Sequence, residues 1–278
     1  MSNQPGQEPL RVRIASVGLV GPGLHGWQNS RKYLHQGVSP ESREMPLLVP
    51  EGISPRERRR LTETIKLALV AGQDALLNLS VPVAIEQLST VFASANGDLF
   101  VADKILSALA LPGKPVSPTH FHNSVHNAPA GYWHLASHSM HASTSIAADE
   151  NSFVSGLLEA VSQVVATAEP CLLVVCDSRA PENYRNQLNC NDSLALALVL
   201  QADDGHCIKA DTELLEIRQL NPAIATVMDD AVLETMRQGN PAAKGLPLLH
   251  LLADPGVKSV IFEGGLAGGI ELKRVSDE

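Results

Sequence analysis

Ser145-Ile-Ala-Ala-Asp-Glu-Asn-Ser-Phe-Val-Ser-Gly-Leu-Leu-Glu-Ala160 is the stretch that decides how this chain folds. It predicts an apolar strand, a sharp polar corner and a helix of small residues. In α/β enzymes such a corner pushes one side chain into a pocket at a helix N-terminus, where free N–H groups stabilise an anion. We name the corner residues the elbow: Asp149, Glu150, Asn151, Ser152 and Phe153. The alternative is that Asp149 caps a surface helix, with Glu150 and Asn151 in its first turn.

Composition limits the possible partners and locations of the protein. The 278 residues allow one large domain or two intimate halves, and the 44% hydrophobic content supports a substantial core. A net charge of −9 argues against nucleic acid or an anionic membrane as the main partner. No apolar run reaches the roughly 18 residues of a membrane helix. Residues 1–9 are polar, so we expect a flexible tail rather than a signal peptide.

The cysteines point to a reducing compartment. The chain has four of them, and no two form a C-x-x-C pair. Without a secretion signal, the expected location is the cytoplasm. The four are Cys171, Cys176, Cys190 and Cys207.

Strands and helices of ordinary length alternate along the chain, which predicts a layered α/β fold. The predicted helices cover residues 27–36, 55–77, 99–109, 152–168, 229–238 and 246–252. The predicted strands cover residues 11–20, 91–95, 172–175, 194–201, 208–218, 257–262 and 270–275. The glycine run Gly18, Gly21, Gly23 and Gly26 is interpreted as a tight turn beside the core. A nucleotide site is the weaker alternative, because no acidic residue closes a second strand.

Four segments carry a resemblance to one family. Residues 118–131 read P-x-x-F-x-x-x-x-x-N-x-x-x-G, residues 145–160 contain the elbow, residues 188–200 run from a polar loop into a strand, and residues 262–269 form a late glycine-rich turn. In this order they resemble a β-ketoacyl synthase. The resemblance implies a thiolase-like α-β-α-β-α architecture with a shortened C-terminal half. Residues 10–202 would be the ketosynthase-like half, and residues 203–278 would pack with it as one unit.

The resemblance implies that the chain is not catalytic alone. Glu150 falls where the family has its nucleophilic cysteine, and a carboxylate cannot replace the thiolate that condensation needs. The later His206 and His250 lack the glycine–threonine context of the family's catalytic histidines. The chain is therefore similar to a chain length factor, which helps a Cys-bearing synthase shape the acyl tunnel in polyketide, aryl polyene or fatty-acid biosynthesis. The alternative is a Glu150-dependent decarboxylase, or another enzyme of the thiolase fold, acting on malonyl or acyl carrier protein. No cofactor is expected in either case.

A heterodimer with a β-ketoacyl synthase is the expected assembly, with acyl carrier protein as a second partner. The resemblance places the dimer interface at His120, Phe121, His122, Asn123, Asn127, Ser143, Thr144, Ser145, Ile146 and Ala147. The basic residues Arg56, Arg59 and Arg60 are candidates for docking the acidic carrier. We favour the alternative that they form the solvated face of a helix, since the chain as a whole is acidic.

Histidines concentrate in residues 120–141, which hold six of the ten. The H-x-H pair at residues 120 and 122 resembles a zinc ligand set, and His134, His138 and His141 have helical spacing. A metal site needs further converging ligands. We therefore favour surface or interface histidines and expect no metal.

Overall fold

The computed structural model describes residues 9–203, 212–264 and 268–275. These residues form one mixed sheet of nine strands in the order β4-β3-β5-β6-β1-β7-β9-β8, with β2 beside β1. β3 runs parallel to β4 and β5, and the other pairs are antiparallel. The strands are β1 (Leu10–Gly21), β2 (Leu24–His25), β3 (Ser89–Ala93), β4 (Ser143–Ile146), β5 (Cys171–Asp177), β6 (Leu194–Gln201), β7 (Glu213–Leu220), β8 (Ser259–Glu263) and β9 (Gly269–Arg274).

Nine α-helices accompany the sheet within the same described ranges. They are α1 (Trp27–Gln36), α2 (Pro55–Arg58), α3 (Glu63–Leu77), α4 (Leu99–Leu109), α5 (Pro118–Asn123), α6 (Ala128–Ser137), α7 (Ser152–Thr167), α8 (Ala231–Gln238) and α9 (Leu246–Ala253).

Helices cover both faces of the central strands, which explains why those strands are apolar throughout. Successive side chains of a strand point to opposite faces. Leu172 and Val174 of β5 therefore pack with α3 and α6, whereas Leu173 and Val175 pack with α7. The core on the α7 side also includes residues of α8, α9 and β7–β9. Both of the predicted segments, residues 10–202 and 203–278, therefore contribute to this core. The predicted layered α/β fold is confirmed.

The glycine run of β1 and β2 forms a tight turn. A Cβ on Gly18 would lie 2.0 Å from the backbone oxygen of Ala71, so only glycine lets α3 approach β1 this closely. Gly23 has a φ of +75° at the turn. The interpretation as a turn beside the core is correct.

Two helix predictions are wrong. The single helix expected at 55–77 is α2 followed by α3, because the Thr62 hydroxyl accepts the Ile65 N–H at 3.4 Å and caps a new helix. The helical face of His134, His138 and His141 does not exist, because α6 ends at Ser137. His138 has a left-handed φ of +56°, which terminates the helix.

Some expectations concern residues outside the described ranges. These are the tail up to residue 8, His206, Cys207, the first part of the strand predicted at 208–218, and the centre of the late glycine turn.

Candidate functional site

At the elbow the structure has a strand, a sharp turn and a helix, in the predicted order. β4 ends at Ile146, and Asp149 then adopts a φ of +49°, which is rare outside glycine. The Ser152 hydroxyl accepts the Ala148 N–H at 3.0 Å and donates to the Asp149 carbonyl at 2.7 Å. The Ser152 side chain therefore stabilises the backbone conformation of the turn.

The capping alternative is wrong in its details. Asp149, Glu150 and Asn151 form a separate 3₁₀ turn, and the α-helix begins only at Ser152. The N-cap residue of α7 is Asn151, and no side chain caps the helix by a hydrogen bond. One side of α7 is fully buried, including Phe153, so α7 is not a surface helix.

Glu150 is held by residues from two distant parts of the chain. Asn189 Nδ2 donates to Oε1 at 3.1 Å, and Lys244 Nζ lies 3.2 Å from Oε2. The ammonium is not aligned for a hydrogen bond to the enclosed Oε2, so this contact is an ion pair. The Glu150 side chain keeps 35% of its exposure. Sequence reasoning did not predict these two contacts of Glu150. Lys244 lies in no motif, and Asn189 lies in the segment 188–200, which carries the resemblance but suggested no role for this residue.

A buried carboxyl group lies behind the elbow. Asp177, at the end of β5, is fully buried and accepts hydrogen bonds from Ser94 Oγ at 2.9 Å and from the Ala95 and Asn96 N–H groups at 3.0 and 3.2 Å. Burial raises the pKa of Asp177 to about 7, although these hydrogen bonds lower it, and the Glu150 charge raises it further. Its place after an apolar strand was the only sequence signal for this residue.

The described cysteines are buried free thiols. Burial raises the pKa of Cys171 to about 11 and that of Cys190 to about 12, and it raises the pKa of Cys176 as well. These three sulfurs are therefore protonated at neutral pH, and a protonated thiol is a poor nucleophile.

The residues expected at a dimer interface occupy different surroundings. Ser143, Thr144, Ser145 and Ile146 make up β4, which is the last strand on one side of the sheet, and Ala147 follows it exposed. His120, Phe121, His122 and Asn123 belong to α5, and Asn127 is exposed before α6.

Two residues of α5 differ sharply in exposure. Phe121 is 70% exposed. Asn123 is buried, donates to the Arg60 carbonyl at 2.7 Å and accepts from the Tyr132 hydroxyl at 3.3 Å. Asn123 therefore makes contacts within the chain.

Helix α4 is apolar but poorly covered. Val101 is its one buried residue, whereas Leu106 is 57% exposed. We name the exposed apolar side chains on α4, on α5 and just after each helix the α4–α5 surface. Its exposed members are Phe100, Leu106, Leu109, Leu111, Phe121 and Val125.

The basic segment around α2 is on the surface. Arg60 pairs with Glu57 at 3.2 Å, and Arg58 donates to the Ile53 carbonyl at 3.3 Å. Arg56 and Arg59 are exposed. Both the carrier and the solvated-face interpretations are compatible with these positions.

Two of the six clustered histidines contact backbone carbonyl groups through their rings. His126 Nε2 lies 3.0 Å from the Ser94 carbonyl, and His134 Nδ1 lies 2.8 Å from the Ser139 carbonyl. In the described part of the chain no three His, Cys, Asp or Glu side chains are grouped to hold a metal ion. Among the same residues no helix is long and apolar enough to cross a membrane.

Solved structures similar to this chain come from ketosynthase complexes. One is the ketosynthase ApeO in complex with its chain length factor ApeC from Xenorhabdus doucetiae (TM-score 0.70, 22% identity, covering 96% of this chain and 100% of that chain). Another is the ishigamide ketosynthase/chain length factor (TM-score 0.70, 13% identity, 96% and 100%). A third is a type II polyketide synthase acyl-carrier protein in complex with its ketosynthase bound to the hexaketide (TM-score 0.69, 12% identity, 97% and 100%). At these identities the similarity establishes the thiolase-like fold.

Sequence comparison supplies the family. No curated protein matches the chain significantly. The family model of the β-ketoacyl synthase N-terminal domain matches residues 26–255. The chain therefore belongs to the β-ketoacyl synthase family.

Proposed function

We propose that the chain is a non-catalytic ketosynthase-like subunit, a chain length factor, that pairs with a Cys-bearing β-ketoacyl synthase. The observation that carries this proposal is the elbow, where Glu150 stands in an ion pair with Lys244 in place of a reactive thiol. Condensation through a thioester needs a thiolate, and the three described cysteines are buried and protonated. The partner would supply the nucleophile for a polyketide, aryl polyene or fatty-acid chain.

Two surface features support pairing. β4 has one open edge, and an open strand edge invites a further strand. The α4–α5 surface offers large apolar side chains that a monomer would leave in water. A stable heterodimer buries an interface with an apolar core of this kind. In the similar structures named above, ketosynthases are bound to chain length factors.

The backbone hydrogen bonds of β4 indicate which of its residues face outward, where we propose that a partner strand would pair. The Thr90 N–H donates to the Ala142 carbonyl at 3.0 Å, and the Ser94 N–H donates to the Ile146 carbonyl at 3.1 Å. Because the N–H and C=O of one residue point to the same side, residues 142, 144 and 146 face β3. Ser143 and Ser145 turn their backbone groups outward.

Co-expression with a Cys-bearing ketosynthase encoded beside this chain tests the proposal. We expect one co-purifying complex of equal stoichiometry in size-exclusion chromatography with light scattering. Ser145→Pro removes an outward donor without touching the β3 ladder and should weaken the complex. The matched control Ser145→Ala keeps the N–H and should leave the complex intact. A stable monomer that ignores the ketosynthase would refute the proposal.

Carrier-protein docking is the second partner prediction. Arg56, Arg59 and Arg60 provide positive charge on a chain that is acidic overall. If they steer the carrier, replacing all three by Gln should weaken carrier binding to the heterodimer at low salt more than at high salt. If these arginines only form the solvated face of a helix, wild type and variant will bind the carrier equally at low and at high salt.

A decarboxylase is the alternative function, and Lys244 is the observation that favours it. An ammonium 3.2 Å from Glu150 is a cation at the place where a malonyl carboxylate would be processed. The isolated chain would then release CO₂ from malonyl carrier protein, and Glu150→Gln would abolish the release. Absence of CO₂ release from the wild-type chain would eliminate this alternative.

A further inference from the structure

The Glu150 carboxylate lies between donors that belong to other parts of the chain. Asn189 Nδ2 reaches Oε1 at 3.1 Å, and Lys244 Nζ lies 3.2 Å from Oε2. One amide donor and one ammonium around a carboxylate make up the donor set of a carboxylate-binding site. We infer that the elbow is such a site, and that its occupant in this chain is the side chain of Glu150 itself.

The turn that carries Lys244 is anchored by hydrogen bonds that do not involve Glu150. Lys244 lies in the 3₁₀ turn Ala242–Gly245, and the first two residues of this turn are fully buried. Their N–H groups donate to Asn240 Oδ1 at 2.8 and 3.3 Å. Asn240 is itself buried and donates to the Asp177 and Asp192 carbonyls at 3.1 and 2.7 Å. The backbone at residue 244 would therefore stay in place if Glu150 were shortened.

The loop that carries Asn189 is anchored by the two residues that follow it. Cys190, the next residue, is fully buried, and its carbonyl accepts the Ala180 N–H at 2.8 Å. The Asn191 N–H donates to the Gly239 carbonyl at 2.8 Å. Asn189 is itself exposed, so its position rests on these anchored neighbours, whereas the occupant belongs to the elbow.

The charges favour an anion at this place. Lys244 is only 25% exposed, and a largely buried cation without a partner is costly. Glu150 Oε2 is enclosed and makes no aligned hydrogen bond. The Glu150 side chain therefore does not use the N–H groups of the Lys244 ammonium as hydrogen-bond donors. Glu150→Ala removes one CH₂ and the carboxylate, which together have the shape of acetate. A free acetate ion is therefore expected to replace the lost group.

The inference has a consequence for the native chain. With its own carboxylate in the site, the elbow is closed to a substrate carboxylate or an acyl thioester, so the inference argues against the decarboxylase alternative. This holds whether or not the chain pairs with a ketosynthase.

Acetate titration of Glu150→Ala tests the inference, with the melting temperature and the line width of ¹³C-acetate as readouts and NaCl keeping the ionic strength constant. We expect saturable stabilisation of Glu150→Ala by acetate, none by neutral acetamide, and none in wild type. Adding Lys244→Met should weaken the acetate affinity about tenfold or more, as expected for the loss of a charged donor. Glu150→Gly with propionate repeats the test if Glu150→Ala does not fold.

Two outcomes would overturn the inference. One is a folded Glu150→Ala that shows no saturable response to acetate. The other is an equal response in wild type, Glu150→Ala and the double variant, which would be a general salt effect. Neither result affects co-purification with a ketosynthase, so this inference and the proposed function fail separately.

Discussion

Asp177→Asn should change how the stability of the protein depends on pH. Burial raises the pKa of Asp177 from 3.8 to about 7 in the folded chain. The folded state therefore keeps a proton that the unfolded state has already released between these two values. Below about pH 4 the ionisation of this carboxyl group does not change the free energy of unfolding. Above about pH 7 it lowers that free energy by its full amount. Wild-type stability should consequently fall as the pH rises through this window.

The magnitude follows from the size of the shift. A difference of about three pKa units corresponds to about 4 kcal/mol over the whole window. Between pH 5 and pH 8 the loss attributable to this group is about 2–3 kcal/mol. In the variant, the amide oxygen of the new side chain would still accept from Ser94 and Asn96. Its NH₂ group replaces Oδ2, which accepts weakly from the Ala95 N–H at 3.3 Å, and that cost is the same at every pH.

Urea unfolding of wild type and Asp177→Asn at several pH values between 5 and 8 is the assay. The difference in unfolding free energy between the two proteins should move steadily in favour of the variant as the pH increases. Parallel pH profiles, displaced by a constant amount, would show that the carboxyl group is already ionised when buried. In that case the argument from burial would be wrong.

Two further predictions concern stability. Gly18→Ala should lower the melting temperature and cost about 3 kcal/mol or more, since its Cβ would overlap a backbone oxygen of α3 at 2.0 Å. The matched control Gly131→Ala has no atom within 4 Å of the added carbon and should stabilise α6 by about 0.5–1 kcal/mol; a comparable loss in both variants would contradict the packing argument. The Arg237 side chain lowers the pKa of Glu234 to about 2, so this pair stabilises the fold above about pH 4.5 and is lost on acidification. Glu234→Gln should therefore flatten the acid limb of a thermal-unfolding profile, and an unchanged limb would exclude the pair as its cause.

The sequence determined the local structure and the fold class. Helices 27–36 and 99–109 and strand 194–201 lie where they were predicted. Their apolar periodicity, cap residues and turn chemistry are properties of neighbouring residues, so short windows contain the necessary information. The elbow was predictable for the same reason. The helix predictions failed at two places where a polar side chain accepts a backbone N–H. The Thr62 hydroxyl accepts from Ile65, and the Ser137 hydroxyl accepts from Ser139.

Only the tertiary structure decided the chemistry of the site. Lys244 and Asn189 meet Glu150 because two anchored loops converge on the elbow, and their sequence contains no motif for this. The high pKa of Asp177 depends on the water excluded by surrounding elements. The open edge of β4 likewise follows from strand order, which fixes which strands pair across the sheet. Contacts between distant segments are set by packing, and a local sequence pattern does not specify them.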